Sequence, residues 1–185
     1  MKRLFAAIKI HPSETFISLL YQFRQALRNE NIKWVEPNNI HITLKFFGET
    51  EESRIEEISN HLMMVASRHT PFKFSIQGTG VFGSSYNPRV IWFGINENNA
   101  LQNLSTDVLD SMATIGWEKD RQNFVPHLTM GRIKYMNDKN KLKELSNKHK
   151  DIEIQEEILN EFCLYESILK PQGPIYTVLK TFELK

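Results

Sequence analysis

Residues 41–48 read HITLKFFG and residues 127–132 read HLTMGR. Each stretch places a histidine and a threonine two residues apart, with an apolar residue between them and another after the threonine. On a β-strand, side chains at i and i+2 project from the same face, so His41 pairs with Thr43 and His127 with Thr129. Imidazole is the side chain whose ordinary pKa, about 6.5, permits acid or base work near neutral pH. Two imidazoles permit concerted work, one taking a proton from water while the other gives one to a leaving oxygen. Threonine hydroxyls donate hydrogen bonds suited to phosphoryl oxygens whose charge grows during attack. The set fits in-line phosphoryl transfer without a metal. A single histidine on a strand is more often packing or solvated surface. Two His-x-Thr motifs at matching places in one chain are much harder to assign that way.

The elements that must carry these motifs are legible from periodicity. Residues 3–10 read as a strand. A helix follows from Pro12–Ser13 to about Asn29, with Phe16, Leu19, Leu20, Phe23 and Leu27 along one face. The His41 strand alternates apolar and polar residues up to Gly48. Glu51–Ser67 reads as a helix, and acidic residues crowd its first turn, as the helix dipole favours. Residues 72–77 and 90–95 read as strands, Asn98 to about Ile115 as a helix, and Asp120–Asn123 as a loop before the His127 strand. Residues 139–149 suit a lysine-rich helix, and residues 162–168 and 175–184 suit a hairpin across KPQGP.

The order strand, helix, His strand, helix occurs twice. Ile10 lies 31 positions before His41, and Ile95 lies 32 before His127. This period is far longer than that of a solenoid. It implies two related lobes about a pseudo-two-fold axis, each lending one His strand to a central cleft.

Composition sets the outer bounds. The chain has 185 residues, 41% hydrophobic and 24% charged, which suits one domain or two closely packed lobes. Its formal net charge of +1 supplies no global attraction toward polyanions. The single cysteine, Cys163, excludes an internal disulfide framework and lies in an apolar run, as a buried thiol would. No apolar run approaches the ~20 residues that span a bilayer, and the opening MKRLFAAIKI is too short for a signal sequence. We therefore expect a cytoplasmic protein with no membrane partner. His11, His61, His69 and His149 lack metal-ligand spacing, so neither a metal nor another cofactor is expected.

With these residues in view, the chain resembles the two-histidine phosphoesterases, specifically the RNA 2′,3′-cyclic phosphodiesterases, also called 2′–5′ RNA ligase-like proteins. RLFAAIKI, KWVEPNNIHITLKFFGET, PRVIWFGI, FVPHLTMGR and LYESILKPQGPIYTVLKTFEL carry the resemblance across nearly the whole chain. It implies an α+β fold over residues 1–185: a single domain of two pseudo-symmetric lobes, each with a mainly antiparallel sheet and flanking helices. It also implies hydrolysis of a 2′,3′-cyclic phosphate, on an RNA end or a small cyclic nucleotide, to a 2′-phosphomonoester. His41 matches the proton donor and His127 the proton acceptor; the near-symmetric halves would not themselves assign those roles. Thr43 and Thr129 match the phosphate-binding threonines. Arg132 matches a basic residue after the second motif. Strict alternation would turn Arg132 away from the cleft, unless a bulge at Gly131 bends the strand. A monomer is expected.

Other features point to RNA less directly. Phe47, Phe82, Tyr86 and Phe124 are candidates for base stacking. Residues 134–150 hold six lysines against Asp138 and Glu144, and a solvated helix face is the plainer reading. A 2′–5′ ligase or oligoadenylate hydrolase, a non-catalytic RNA-binding module and a metal hydrolase using the same histidines are the alternatives.

Overall fold

The computed structural model describes residues 1–96, 98–118, 125–171 and 173–185. The expected Asp120–Asn123 loop and Phe124 lie outside the described residues. Nine strands and four helices are described. In chain order they are β1 (Lys2–Lys9), α1 (Glu14–Ala26), β2 (Asn31–Trp34), β3 (His41–Thr50), α2 (Ile55–Ala66), β4 (Phe72–Gly83) and β5 (Pro88–Ile95). There follow α3 (Asn99–Ala113), β6 (His127–Tyr135), α4 (Lys139–Lys148), β7 (Glu153–Leu159), β8 (Glu161–Lys170) and β9 (Gly173–Glu183).

The strands form two antiparallel sheets, ordered β3-β1-β8-β9 and β2-β6-β5-β4-β7. In the first, the His41 strand flanks β1; in the second, the His127 strand flanks β5. The two-fold relation expected from sequence is thus present. The lobes, however, are not successive in the chain. Helix α1, from the first half, packs toward the second sheet through β7, while α3, from the second half, packs with α2 against the first sheet through β3. Each half lends its first helix to the other lobe, and this exchange ties the lobes together.

Local chemistry explains the helix limits. Ser13 caps α1 by accepting a hydrogen bond from the Phe16 amide, so Pro12 and Ser13 precede the helix. Asn98 and Asp138 cap α3 and α4 in the same way. Glu52–Arg54 forms a 3₁₀ turn before α2, which accounts for a later start than periodicity suggests. Two strands escape the sequence pattern. β2 has only four residues. β7, EIQEEIL, is an edge strand rich in charged residues, as sheet edges commonly are, and a bulge at Ile154 breaks its alternation. β4 runs six residues past the expected limit at Gln77, pairing with β7 over its first half and mainly with β5 over its second.

One contiguous core joins the helix-facing sides of both sheets, including Leu4, Ile8, Phe16, Phe23, Ile42, Leu62, Phe93, Leu104 and Leu128. Phe93, on β5, is fully buried and meets Phe16 of α1 edge-on at 4.6 Å. That contact secures the exchanged helix. Phe93→Ala is expected to cost about 3–5 kcal/mol of folding stability, read as a lower urea midpoint at unchanged slope; a shift below about 1 kcal/mol would show that the helix is held elsewhere.

Candidate active site

The two His strands share a backbone irregularity. On β6 the pairing with β5 steps from Trp92↔Thr129 to Ile91↔Gly131, leaving Met130 as an extra residue. On β3 the pairing with β1 steps from Ala7↔Thr43 to Ala6↔Lys45, leaving Leu44 extra. Such a bulge resets the alternation of faces. Met130 and Gly131 are consecutively buried, as are Leu44 and Lys45, and the next residue of each strand returns to the cleft side. Those residues are Arg132 and Phe46. The geometric objection to Arg132 is thereby removed, and the bulged residue is Met130 rather than Gly131. Gly131 still matters, because a Cβ there would lie 2.8 Å from Ile32 and 2.9 Å from the Trp34 ring.

Both histidines are held in the same way. His41 Nδ1 lies 2.7 Å from the Asn39 carbonyl, and His127 Nδ1 lies 2.8 Å from the Val125 carbonyl. A carbonyl accepts only, so Nδ1 carries the proton and donates, and Nε2 is left as the free nitrogen in the neutral ring. His41 is wedged between Phe5 at 5.1 Å and Tyr176 at 5.3 Å, the latter edge-on. His127 meets Phe82 edge-on at 4.7 Å, and Phe82 in turn packs on Trp92 at 5.1 Å. The Trp92 indole lies over Gly80, where a Cβ would fall 2.2 Å from the ring.

The cleft side of the first sheet carries its own small buried cluster of Phe5, Ala7, Cys163 and Tyr165, with Tyr176 packed against it. Cys163 is buried there, as its sequence context implies, with Sγ 3.4 Å from the Thr181 hydroxyl.

Electrostatics couples the two motifs. Burial pushes the His41 pKa down; the Asn39 carbonyl opposes this, and the positive charges of Arg132 and His127 add to it. Burial likewise lowers the His127 pKa, opposed by the Val125 carbonyl and reinforced by Arg132. Arg132, His41 and His127 thus occupy one electrostatic neighbourhood, and both rings are neutral near pH 7 in the ligand-free protein. Burial raises the Tyr176 pKa, so its phenol keeps its proton.

The structure brings His41, His127 and Arg132 into one neighbourhood, and Thr43 and Thr129 each follow their histidine by two residues on β3 and β6. The stacking candidates divide. Phe82 reaches the cleft, Phe47 is buried against Trp117, and Tyr86 lies exposed in the turn between β4 and β5. Phe5, Tyr176 and Trp92 were not singled out from sequence; their alternation within strands is the same signal that core residues give. Among the described residues, no three of His, Cys, Asp and Glu cluster as metal ligands would. No helix among them is long and apolar enough to cross a membrane.

Comparisons with known proteins bear on the family and the fold. The model of the LigT-like phosphoesterase family matches twice, over residues 8–92 and 93–176, one match for each half. The RNA 2′,3′-cyclic phosphodiesterase of Methanocaldococcus jannaschii is 37% identical over 178 residues, covering 96% of this chain and 98% of that protein. The Aquifex aeolicus protein of the same name is 40% identical over 154 residues, covering 82% and 81% respectively. Among solved structures, the protein TT0787 of Thermus thermophilus superposes with a TM-score of 0.77 at 27% identity, over 98% of this chain and 97% of that one. E. coli LigT complexed with 3′-AMP shares the fold, with a TM-score of 0.77 at 23% identity over 100% and 98%. The two matched halves and the extent of these relatives establish that the chain belongs to the LigT-like phosphoesterase family.

Proposed function

We propose that this protein hydrolyses 2′,3′-cyclic phosphates, on RNA ends or on nucleotides, to 2′-phosphomonoesters, and that residues 1–185 act as one bilobal domain. The observation that carries this reading is the matched pair of histidines, each with Nδ1 tied to the carbonyl two residues back and both within the field of Arg132. The relatives named RNA 2′,3′-cyclic phosphodiesterase support the choice of substrate.

The chemistry follows from the atoms available. Water attacks phosphorus in line with the bond to the ribose 3′ oxygen. His127 Nε2 takes the proton of that water. Negative charge growing on the non-bridging oxygens meets the Thr43 and Thr129 hydroxyls and the Arg132 guanidinium. His41, protonated at Nε2, gives its proton to the departing 3′ oxygen. Because His41 is neutral in the free protein, it takes up that proton as the anionic phosphate enters and offsets the charge of Arg132. Solvent restores both rings after product leaves.

His41→Ala and His127→Ala should each lower kcat by at least about 10²–10⁴-fold, the usual contribution of a general acid or base. The double variant should be little worse than either single one, since the pair acts as a unit. Retention of wild-type kcat in either folded single variant would sink the assigned roles.

Lowered histidine pKa values set the pH profile. Activity needs His127 neutral, so the rate rises with pH through its pKa. It needs His41 protonated, so the rate falls through that pKa. Both lie below the ordinary 6.5, and kcat/KM should peak on the acid side of that value. Arg132→Met removes a positive charge and should move both limbs toward alkaline pH; limbs that stay in place would show that Arg132 does not act on the pair.

The product assay uses a nucleoside 2′,3′-cyclic phosphate and a short RNA ending in one, in excess EDTA. Full turnover to the 2′-phosphate is expected. A 3′-phosphate product, or activity lost with the chelator, would contradict the mechanism. Joining of RNA ends without hydrolysis would favour the 2′–5′ ligase reading of the same site.

A further inference from the structure

Beside the catalytic pair lies a second cavity of about 430 Å³. It spans both lobes, between β2 and β6 on one side and the arm formed by β8 and β9 on the other. Arg132 and Tyr176 line it, and Tyr176 also packs on His41, so the cavity adjoins the His41 side of the cleft. A hydrogen bond from the Asn39 side chain to the Pro174 carbonyl, 3.0 Å, pins the arm to the loop that enters β3. Apolar walls come from Leu169, Ile175 and Tyr176, and Lys33 and Lys170 add positive charge.

The charge is the informative part. Lys33 on β2 pairs directly with Arg132 on β6. Directly opposed residues share a face, and like charges in that relation destabilise a sheet. The acid on the cavity wall, Glu36, does not relieve them, because it lies 3.4 Å from Arg24 instead. A cyclic mononucleotide brings one negative charge, for which Arg132 and the two threonines suffice. Lys33 and Lys170 then line the cavity with positive charge beyond what that ligand needs. Leu169 and Ile175, apolar side chains of the arm, are exposed beside them. Cations interleaved with aromatic and apolar surface are what single-stranded nucleic acid binds.

We infer that this cavity holds the nucleotide immediately 5′ of the one bearing the cyclic phosphate, its base against the apolar walls and its phosphate near Lys33 and Lys170. The enzyme is then selective for oligonucleotide ends over mononucleotides. This rests on the cyclic phosphodiesterase reading above and specifies its substrate class.

The test compares kcat/KM for cytidine 2′,3′-cyclic phosphate with that for a tetranucleotide RNA carrying the same end, using wild type and the Lys33→Glu, Lys170→Glu double variant, with folding checked by circular dichroism. Wild type should favour the tetranucleotide by about tenfold or more, and that advantage should shrink as salt rises. In the double variant the ratio of the two values should fall to near one. A wild-type ratio near one, or a ratio that the double charge reversal leaves unchanged, overturns this inference alone. Absence of turnover with both substrates overturns the cyclic phosphodiesterase reading and this inference with it.

Discussion

Each of the paired imidazoles is fixed by one hydrogen bond, from Nδ1 to the carbonyl of the residue two positions earlier. That bond selects the tautomer, holds the ring plane and leaves Nε2 free. It is entirely local, because it depends on the turn by which the chain enters each strand, and so the same sequence pattern reproduces it in both halves. The larger fold has one task relative to this unit: to bring two copies together about a pseudo-two-fold axis and keep water and charge around them under control. The exchange of α1 and α3 between lobes serves that task by making the interlobe relation part of the core.

The symmetry is broken at the residue that follows each bulge. After the paired bulges, β6 presents Arg132 and β3 presents Phe46 at the equivalent place. Two arginines would have placed four basic groups in the cleft and depressed both histidines further. One arginine opposite an aromatic ring gives the cleft a charged side and an apolar side. Phe5 and Tyr176 continue that apolar side, while Phe82 and Trp92 brace His127. The result is two chemically similar imidazoles in unlike surroundings, which is what the proposed division into acid and base requires.

Much of this was legible in the sequence, for reasons tied to particular residues. The His-x-Thr spacing fixes a shared face because strand geometry has period two, and the repeated order of elements points to two lobes. The exchange of helices was not legible, since an amphipathic helix declares that it packs but not against which sheet. β7 was missed because its buried apolar residues, Ile154 and Leu159, lie five apart: a bulge at Ile154 breaks the period of two, and Glu156 and Glu157 lie between them. The bulges were legible only as a possibility. Gly131 marks one, but Leu44 and Lys45 give no local sign of the other, and a buried lysine answered by the Glu118 carbonyl at 2.8 Å is visible only in three dimensions. Phe5 and Tyr176 look like core residues because they are packed; that they are packed on the cleft side is a matter of sheet pairing.

The central claim is that both imidazoles are neutral and protonated at Nδ1 in the free protein, and that an anionic phosphate moves a proton onto Nε2 of His41. Long-range proton–nitrogen NMR of the histidine rings, titrated with and without a nucleoside 2′-phosphate, reads this directly. The account predicts Nδ1–H tautomers for His41 and His127, titration of both below 6.5 in the free protein, and a rise for His41 when the phosphate binds. Nε2–H tautomers, or a His41 pKa unmoved by the bound phosphate, would contradict it.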